Sequence, residues 1–200
     1  MKPSILEHIV CPTCRSNFKL LTKSKSENEI KEGTLICTKC NDKFKITKGI
    51  PRFVVDMTKD FVRTEMAFSA KWKNHHRNHH AKDWVNWQKN WFLERFNWKS
   101  IYAFKKFLSS KKYILDAGTG IGNSAKMLSI NKSSIVFALD ASDSIDFAYK
   151  KYGTSSNIHF IQADIRQLPF RKTFFDYIFS DQVYIIQKTH LHLSNILQNF

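Results

Sequence analysis

The sequence predicts an α/β chain in two unequal parts: a small β-rich metal ribbon, then an open parallel sheet. Three observations carry that expectation. Two CxxC pairs, Cys11-Pro12-Thr13-Cys14 and Cys37-Thr38-Lys39-Cys40, are separated by 22 residues near the start. From Tyr113 onward, strand and helix patterns alternate. In the first of those strands, Tyr113-Ile114-Leu115 runs into Asp116 and then into glycine at 118, 120 and 122.

The totals agree with this plan. Two hundred residues suit one domain or two small ones, and an apolar fraction of 42% is ordinary for a globular chain. The formal charge of +15 can serve an anionic partner such as RNA, a phospholipid surface or a phosphorylated substrate. The lysines gather on no single helix face, so scattered solvation is the simpler reading. Met1 to Val10 lacks the long apolar core of a cleavable signal, and no stretch reaches the ~18 uninterrupted apolar residues of a membrane span. A cytoplasmic location is expected. In a reducing compartment, two matched cysteine pairs argue for metal rather than disulfides.

The ribbon comes first. A CxxC turn lets two thiolates reach one ion, and two such turns complete the tetrahedral sulfur set that zinc prefers. Cys11, Cys14, Cys37 and Cys40 are therefore the expected ligands of a zinc that is structural rather than catalytic, since four thiolates leave no open position. Phe18 to Thr22 alternates weakly, Lys23 to Lys31 is a polar tip, and Thr34 to Ile36 leads back to the second pair. Gly49 can adopt a positive φ and Pro51 fixes the exit direction, so they mark the turn out of the ribbon. The run of CPxC, a charged spacer, LxCxxC and a short strand closing with Gly49-Ile50-Pro51 resembles the zinc-ribbon domain of the small activator protein of tRNA methyltransferases. That resemblance covers residues 5 to 54 and implies a ribbon domain over 1–56. The same domain also occurs fused in front of bacterial methyltransferases.

Residues 57–112 read as a helical bridge. Phe61 to Asn74 is expected to be helical. Trp84, Trp87, Trp91 and Arg95, with Phe92 and Phe96, recur at helical spacing over Asp83 to Phe96, with Asp83 as candidate cap. Such a stripe is more often core than a stacking surface for a ligand. The run holding His75, His76, His79 and His80 contains no carboxylate and has Arg77 inside it, which favours a solvated connector over a metal site. Ile101 to Leu108 follows as a short helix capped by Ser100.

Residues 113–200 then alternate. Strands are expected at Tyr113 to Ala117, Ser134 to Leu139, Ile158 to Gln162 and Phe175 to Ser180, with helices at Asn123 to Ile130, Ser144 to Tyr152 and His190 to Phe200. This order implies a parallel sheet that binds ligands at its carboxyl edge, where Asp140, Asp164 and Asp181 lie. Asp176, at the start of its strand, reads as structural. A dinucleotide loop would be GxGxxG with an acid on the ribose. An acid directly before the glycines instead suits a ligand with a positive end.

Ile114 to Gly122 resembles the first motif of class I S-adenosylmethionine-dependent methyltransferases, and three further stretches match that family in order. Leu139-Asp140-Ala141-Ser142 is similar to the second motif, whose acid binds the ribose hydroxyls. Ile161 to Asp164, followed by Leu168-Pro169-Phe170, is similar to the adenine segment. Phe175 to Val183 is similar to the fourth-strand motif, which faces the methyl donor and substrate. The resemblance implies a Rossmann-like fold and cofactor contacts from Asp116, Gly118, Thr119, Gly120, Gly122, Asp140, Ala141, Asp164, Ile165 and Ser180. Asp181 and Gln182 are substrate-side candidates, and no base is singled out. A complete domain of this family continues with three more strands, so the methyltransferase part is expected to be incomplete, or to complete its sheet with a partner or a second copy. The expected activity is methyl transfer to a small molecule or a lipid- or glycan-linked acceptor. RNA methylation, or a non-catalytic adaptor built on the ribbon, are the alternatives.

Overall fold

The computed structural model describes residues 1–54 and 83–181, with the side chains of residues 83–88 outside that description. The expected helix at Phe61 to Asn74, the four clustered histidines, the rings of Trp84 and Trp87, the side chain of Asp83, Gln182 and the final helix lie outside the described residues.

A one-turn 3-10 helix (Pro3–Glu7) leads into a four-stranded antiparallel sheet in the order β1 (Phe18–Ser26), β2 (Glu29–Cys37), β3 (Lys43–Thr47), β4 (Ile50–Pro51). The hairpin strands run well past the apolar positions that suggested them. Their backbones pair as far as Ser26 and Glu29, so the polar stretch expected as a tip is itself strand, and only Glu27 and Asn28 turn. Ladder hydrogen bonds do not require apolar side chains, which is why alternation underestimated the length. Two helices follow, α1 (Asp83–Arg95) and α2 (Ile101–Ser109), the second capped by the Ser100 hydroxyl accepting from the Ala103 N–H at 3.1 Å.

The second sheet is parallel. It is built from β5 (Tyr113–Ala117), β6 (Ile135–Asp140), β7 (Ile158–Gln162) and β8 (Tyr177–Phe179) in the order β7-β6-β5-β8, with α3 (Asn123–Leu128) and α4 (Ser144–Tyr152) between its strands. After β7 the chain returns to the far side of β5. That reversal opens a crevice at the carboxyl ends of β5 and β8, the place where such sheets take ligands.

Parallel sheets are stable only when both faces are covered. Here the covers differ. Ile114, Val136, Ala138, Ile158 and Phe160 pack with Phe92, Phe104, Leu108, Ala125, Leu128, Ile145 and Ala148 of the helices. The alternate residues Leu115, Ala117, Phe137, Leu139 and Ile161 pack instead with the ribbon, through Ile5, Ile9, Leu35, Phe44, Ile46 and Phe53. Successive crossovers of one hand place their helices on one side, which leaves the other face free for the ribbon. Of the aromatic stripe, Phe92 is core and Phe96 half-buried, meeting the Phe179 ring at a tilt and edge-on respectively, whereas Trp91 is 38% exposed.

Backbone joins the two sheets as well. Arg52 lies in a parallel bridge beside Gln162, and the Phe53 N–H donates to the Gln162 carbonyl at 2.7 Å, so the ribbon's exit covers the outer edge of β7. On the other side of the ribbon, Ile9 bridges Phe170, the Val10 N–H donates to the Pro169 carbonyl at 2.9 Å, and the Arg15 guanidinium donates to the Leu168 and Phe170 carbonyls.

Gly122 shows how tightly the loop after β5 meets α4. Its φ is +84°, and a Cβ there would stand 2.9 Å from the Ala148 Cβ. Gly122→Ala should therefore lower stability by about 1–3 kcal/mol, from left-handed strain plus overpacking, measured by urea denaturation. A change below ~0.5 kcal/mol, the range of an unconstrained surface position, would mean that the turn relaxes freely.

Candidate functional site

The loop after β5 is shaped by three glycines with positive φ: Gly118 at 79°, Gly120 at 55° and Gly122 at 84°. Only glycine adopts that conformation without cost. It turns consecutive amides toward the end of β6: the N–H groups of Gly118 and Thr119 donate to the Leu139 carbonyl at 2.8 and 2.9 Å, and the Gly120 N–H donates to Asp140 Oδ2 at 2.7 Å. Three of the loop's amides are thus engaged by β6, and that of Gly122 donates to the Thr119 carbonyl.

Asp140 is held at its other oxygen too. Its Oδ1 accepts from the Ser142 N–H at 2.8 Å and the Ser142 hydroxyl at 2.6 Å. A carboxylate has about four acceptor sites, so three protein donors leave one open. A diol reaching for this carboxylate would take that site and compete with the Ser142 hydroxyl, which has a second partner in Ser144.

Asp116 lies beneath the loop, 1% exposed, with its Oδ2 accepting from the Thr119 hydroxyl at 2.6 Å. Burial raises its pKa to about 7, and the hydrogen bond from Thr119 only partly offsets this, while the charges of Asp140 and Asp181 push in the same direction as burial. A cation arriving beside Asp116 would reverse the balance and favour the ionised form.

Asp164 caps the 3-10 turn Ile165–Gln167, accepting from the Arg166 N–H at 2.8 Å, and both of its oxygens also accept from the Arg166 guanidinium. An amine directed at Asp164 has to compete with that ion pair. The Arg166 side chain is 46% exposed, so it can withdraw into water without a burial cost. Ile165 packs at the margin of the ribbon-side core. The Ser180 hydroxyl donates to the Ala117 carbonyl at 3.0 Å, joining the ends of β8 and β5, and Asp181 accepts from Arg95 of α1 at 2.7 and 3.2 Å. Asp176 accepts from the N–H groups of Lys112 and Tyr113, both at 2.8 Å, and so caps the start of β5.

Two supports, Arg52 and Arg166, were not singled out from the sequence, and Arg95 was named only as part of the helical stripe. Arg52 donates to both oxygens of Asp146 at 3.0 and 3.1 Å and to the Gln162 side chain at 2.6 Å, and Gln162 in turn donates to the Ala141 carbonyl at 3.0 Å. The ribbon's exit thereby holds the turn that carries Asp140. Arg95 and Arg166 are likewise legible only through the acids they meet. A cation following the Gly-Ile-Pro turn was the one available signal for Arg52.

In the ribbon, the four cysteine sulfurs lie within 4.8 Å of one another, with Cys11–Cys40, Cys14–Cys37 and Cys14–Cys40 separations of 3.6, 3.3 and 3.5 Å. A tetrahedral ion with bonds of ~2.3 Å spaces its sulfurs at about 3.8 Å. The cluster therefore has the size of a metal site. The N–H groups of Lys39 and Cys40 point at Cys37 Sγ from 3.4 and 3.5 Å, an outer shell that favours thiolate. Hydrogen bonds from Ser16 bring the pKa of Cys14 down to about 6, whereas burial and the neighbouring thiols raise those of Cys11 and Cys40 before an ion binds.

Residues 114–199 match the family model described as a methyltransferase domain, and residues 2–49 match the one described as Trm112p-like protein. One chain thus carries a stretch similar to each of these two families. A ubiquinone/menaquinone biosynthesis C-methyltransferase of Wigglesworthia glossinidia brevipalpis is 36% identical over 85 residues, or 40% of this chain and 34% of that protein. The chain spans about a third of the length of that curated relative. Among solved structures, a SAM-dependent methyltransferase from Aquifex aeolicus is 23% identical over 40% of this chain and 47% of its own, with a TM-score of 0.35. The PH0226 protein of Pyrococcus horikoshii OT3 is 27% identical over 43% of this chain and 38% of its own, also at 0.35.

The burial of Asp116 generates a direct expectation. Its carboxyl carbon, followed by NMR in the ligand-free chain, should titrate with a midpoint near 7, and a midpoint near the ordinary ~4 would contradict the sealed environment. Because the folded pKa is the higher one, this group's contribution to stability is full below the unfolded value of ~4 and is lost as pH rises toward 7.

Proposed function

We propose that this chain binds S-adenosylmethionine at the carboxyl edge of its parallel sheet and transfers the methyl group to a small-molecule or lipid- or glycan-linked acceptor. The observation that carries the reading is the pairing of a glycine loop, three of whose amides are engaged by β6, with two carboxylates, Asp116 and Asp140, at the ends of adjacent strands. A phosphate would need free amides at this turn. A ligand with a cationic end and a diol needs carboxylates. The curated relative's name, a C-methyltransferase of quinone biosynthesis, also supports a small-molecule acceptor.

The cofactor supplies an electrophilic methyl on a sulfonium. The protein's part is positioning. Asp116 stabilises the cationic end, Asp140 accepts from the ribose hydroxyls, Ala141 lines the ribose turn, and Gly118, Thr119, Gly120 and Gly122 let the backbone come close. Asp164 accepts from the adenine amine once Arg166 swings away, and Ile165 packs on the ring. Ser180 borders the cofactor, and Asp181, aligned by Arg95, borders the acceptor side.

The four cysteines hold zinc in this reading, because a closed four-thiolate tetrahedron is the set that zinc favours. The ion is structural. It stabilises a ribbon whose buried face is the second cover of the parallel sheet, and that face is already spent within the chain, which weighs against an adaptor role toward a separate enzyme.

Calorimetry with S-adenosylmethionine tests the cofactor site. Asp140→Ala should weaken binding by about 1–3 kcal/mol, the cost of lost charge-assisted hydrogen bonds. Equal affinity would remove Asp140 from the site. Wild-type affinity should also fall as pH drops below about 7, since Asp116 must then lose a proton to face a cation, and Asp116→Asn should flatten that dependence. For the metal, elemental analysis should find about one zinc per chain. Chelation should cause cooperative loss of folded structure in both sheets, because metal binding and ribbon folding are one equilibrium. A chelated chain with an unchanged melting curve would contradict a structural zinc.

A further inference from the structure

We propose that the outer face of the ribbon is a docking surface for an anionic lipid bilayer. The strand register builds this face. Phe18, Leu20, Leu35, Phe44 and Ile46 turn inward to the core. The residues between them turn outward in two cross-strand rows, Lys19–Ile36–Lys43 and Leu21–Thr34–Lys45. All three lysines are exposed, Leu21 is 49% exposed, and Ile36 is half-buried between two lysine stems. A shallow groove of about 440 Å³ continues the face past Leu21, lined by Lys23, Lys45 and one acid, Glu32. Glu32, farther along β2, is engaged by the Lys48 N–H at 2.9 Å. Neither of the two rows contains an acid.

The chemistry of this patch selects its partner. Lysines whose stems lie along an aliphatic centre can keep their ammonium groups among lipid headgroups while the centre meets the acyl boundary. Each lysine near an anionic leaflet contributes roughly fivefold to partitioning, so three together give on the order of a hundredfold. Recognition of single-stranded nucleic acid calls for aromatic or arginine planes on which bases stack, and the two rows hold neither. Tight protein interfaces centre on buried aromatic or arginine anchors, which are also missing from these rows. The assignment is independent of the methyl-transfer reading, because it concerns a surface that carries none of the cofactor residues.

The test is co-sedimentation of the whole chain with phosphatidylcholine vesicles, with and without phosphatidylglycerol, at low and physiological salt. Binding should require phosphatidylglycerol and weaken with salt. The triple variant Lys19→Glu, Lys43→Glu, Lys45→Glu should lose at least a hundredfold in partitioning, and Leu21→Ser should lose several-fold without any change of charge. A control reversal at three exposed positions elsewhere, Lys105→Glu, Lys106→Glu, Lys172→Glu, makes the same charge change and should retain binding to within a fewfold. Zinc content and circular dichroism confirm that each variant is folded. The proposal is overturned if phosphatidylglycerol vesicles do not bind the wild type, or if the control reversal costs as much as the face reversal. It is equally overturned if a single-stranded RNA binds through the same lysines at concentrations where vesicles do not.

Discussion

A parallel sheet with an apolar residue at nearly every position cannot leave a face in water, and the structure follows from how that requirement is met. The face formed by Leu115, Phe137, Leu139 and Ile161 is closed by the inner residues of the ribbon. Cysteine cluster and candidate ligand site are therefore parts of one folding unit. The four cysteines gather at the ribbon's turns, the ribbon presents Ile46 and Phe53 to the sheet, and its exit strand lies along β7. From there Arg52 reaches Asp146 and Gln162, which hold the turn behind Asp140.

The crevice is an economy of acceptors. Asp140 ties the glycine loop to β6, Asp116 is sealed beneath it, and Asp164 and Asp181 each hold an arginine. Because most acceptor capacity is already engaged, a ligand has one open acceptor site at Asp140 and must otherwise exchange with internal partners. Those partners differ in cost. Displacing the exposed guanidinium of Arg166 returns it to water, whereas charging Asp116 in a dry site requires a cation to accompany it. Ligand affinity and protonation at Asp116 are consequently linked.

Much of this was legible in the chain. The cysteine spacing led to the cluster whose sulfurs now lie within 4.8 Å. The period of strands and helices matched β5, α4 and β7 end to end, and Ser100 caps its helix as its position indicated. Alternation failed where side chains are polar on both faces: β1 and β2 extend through lysine, serine and glutamate because ladder pairing, not burial, sustains them. Scattered lysines also became an ordered face. Lys19 and Lys43 are far apart in sequence and share no helix, yet pairing across β2 sets them on either side of Ile36.

What the sequence determined by itself is local: ligand spacing, apolar period, and glycines where φ must be positive, since each depends on neighbours within a turn or a strand. What only the tertiary structure decided is which surfaces and charges meet. That the ribbon lies on the sheet rather than apart from it, that Arg52 supports the turn of Asp140, and that Arg95 and Arg166 hold Asp181 and Asp164 follow from packing two sheets face to face. That packing is governed by total apolar area and shape, which no short stretch of chain encodes.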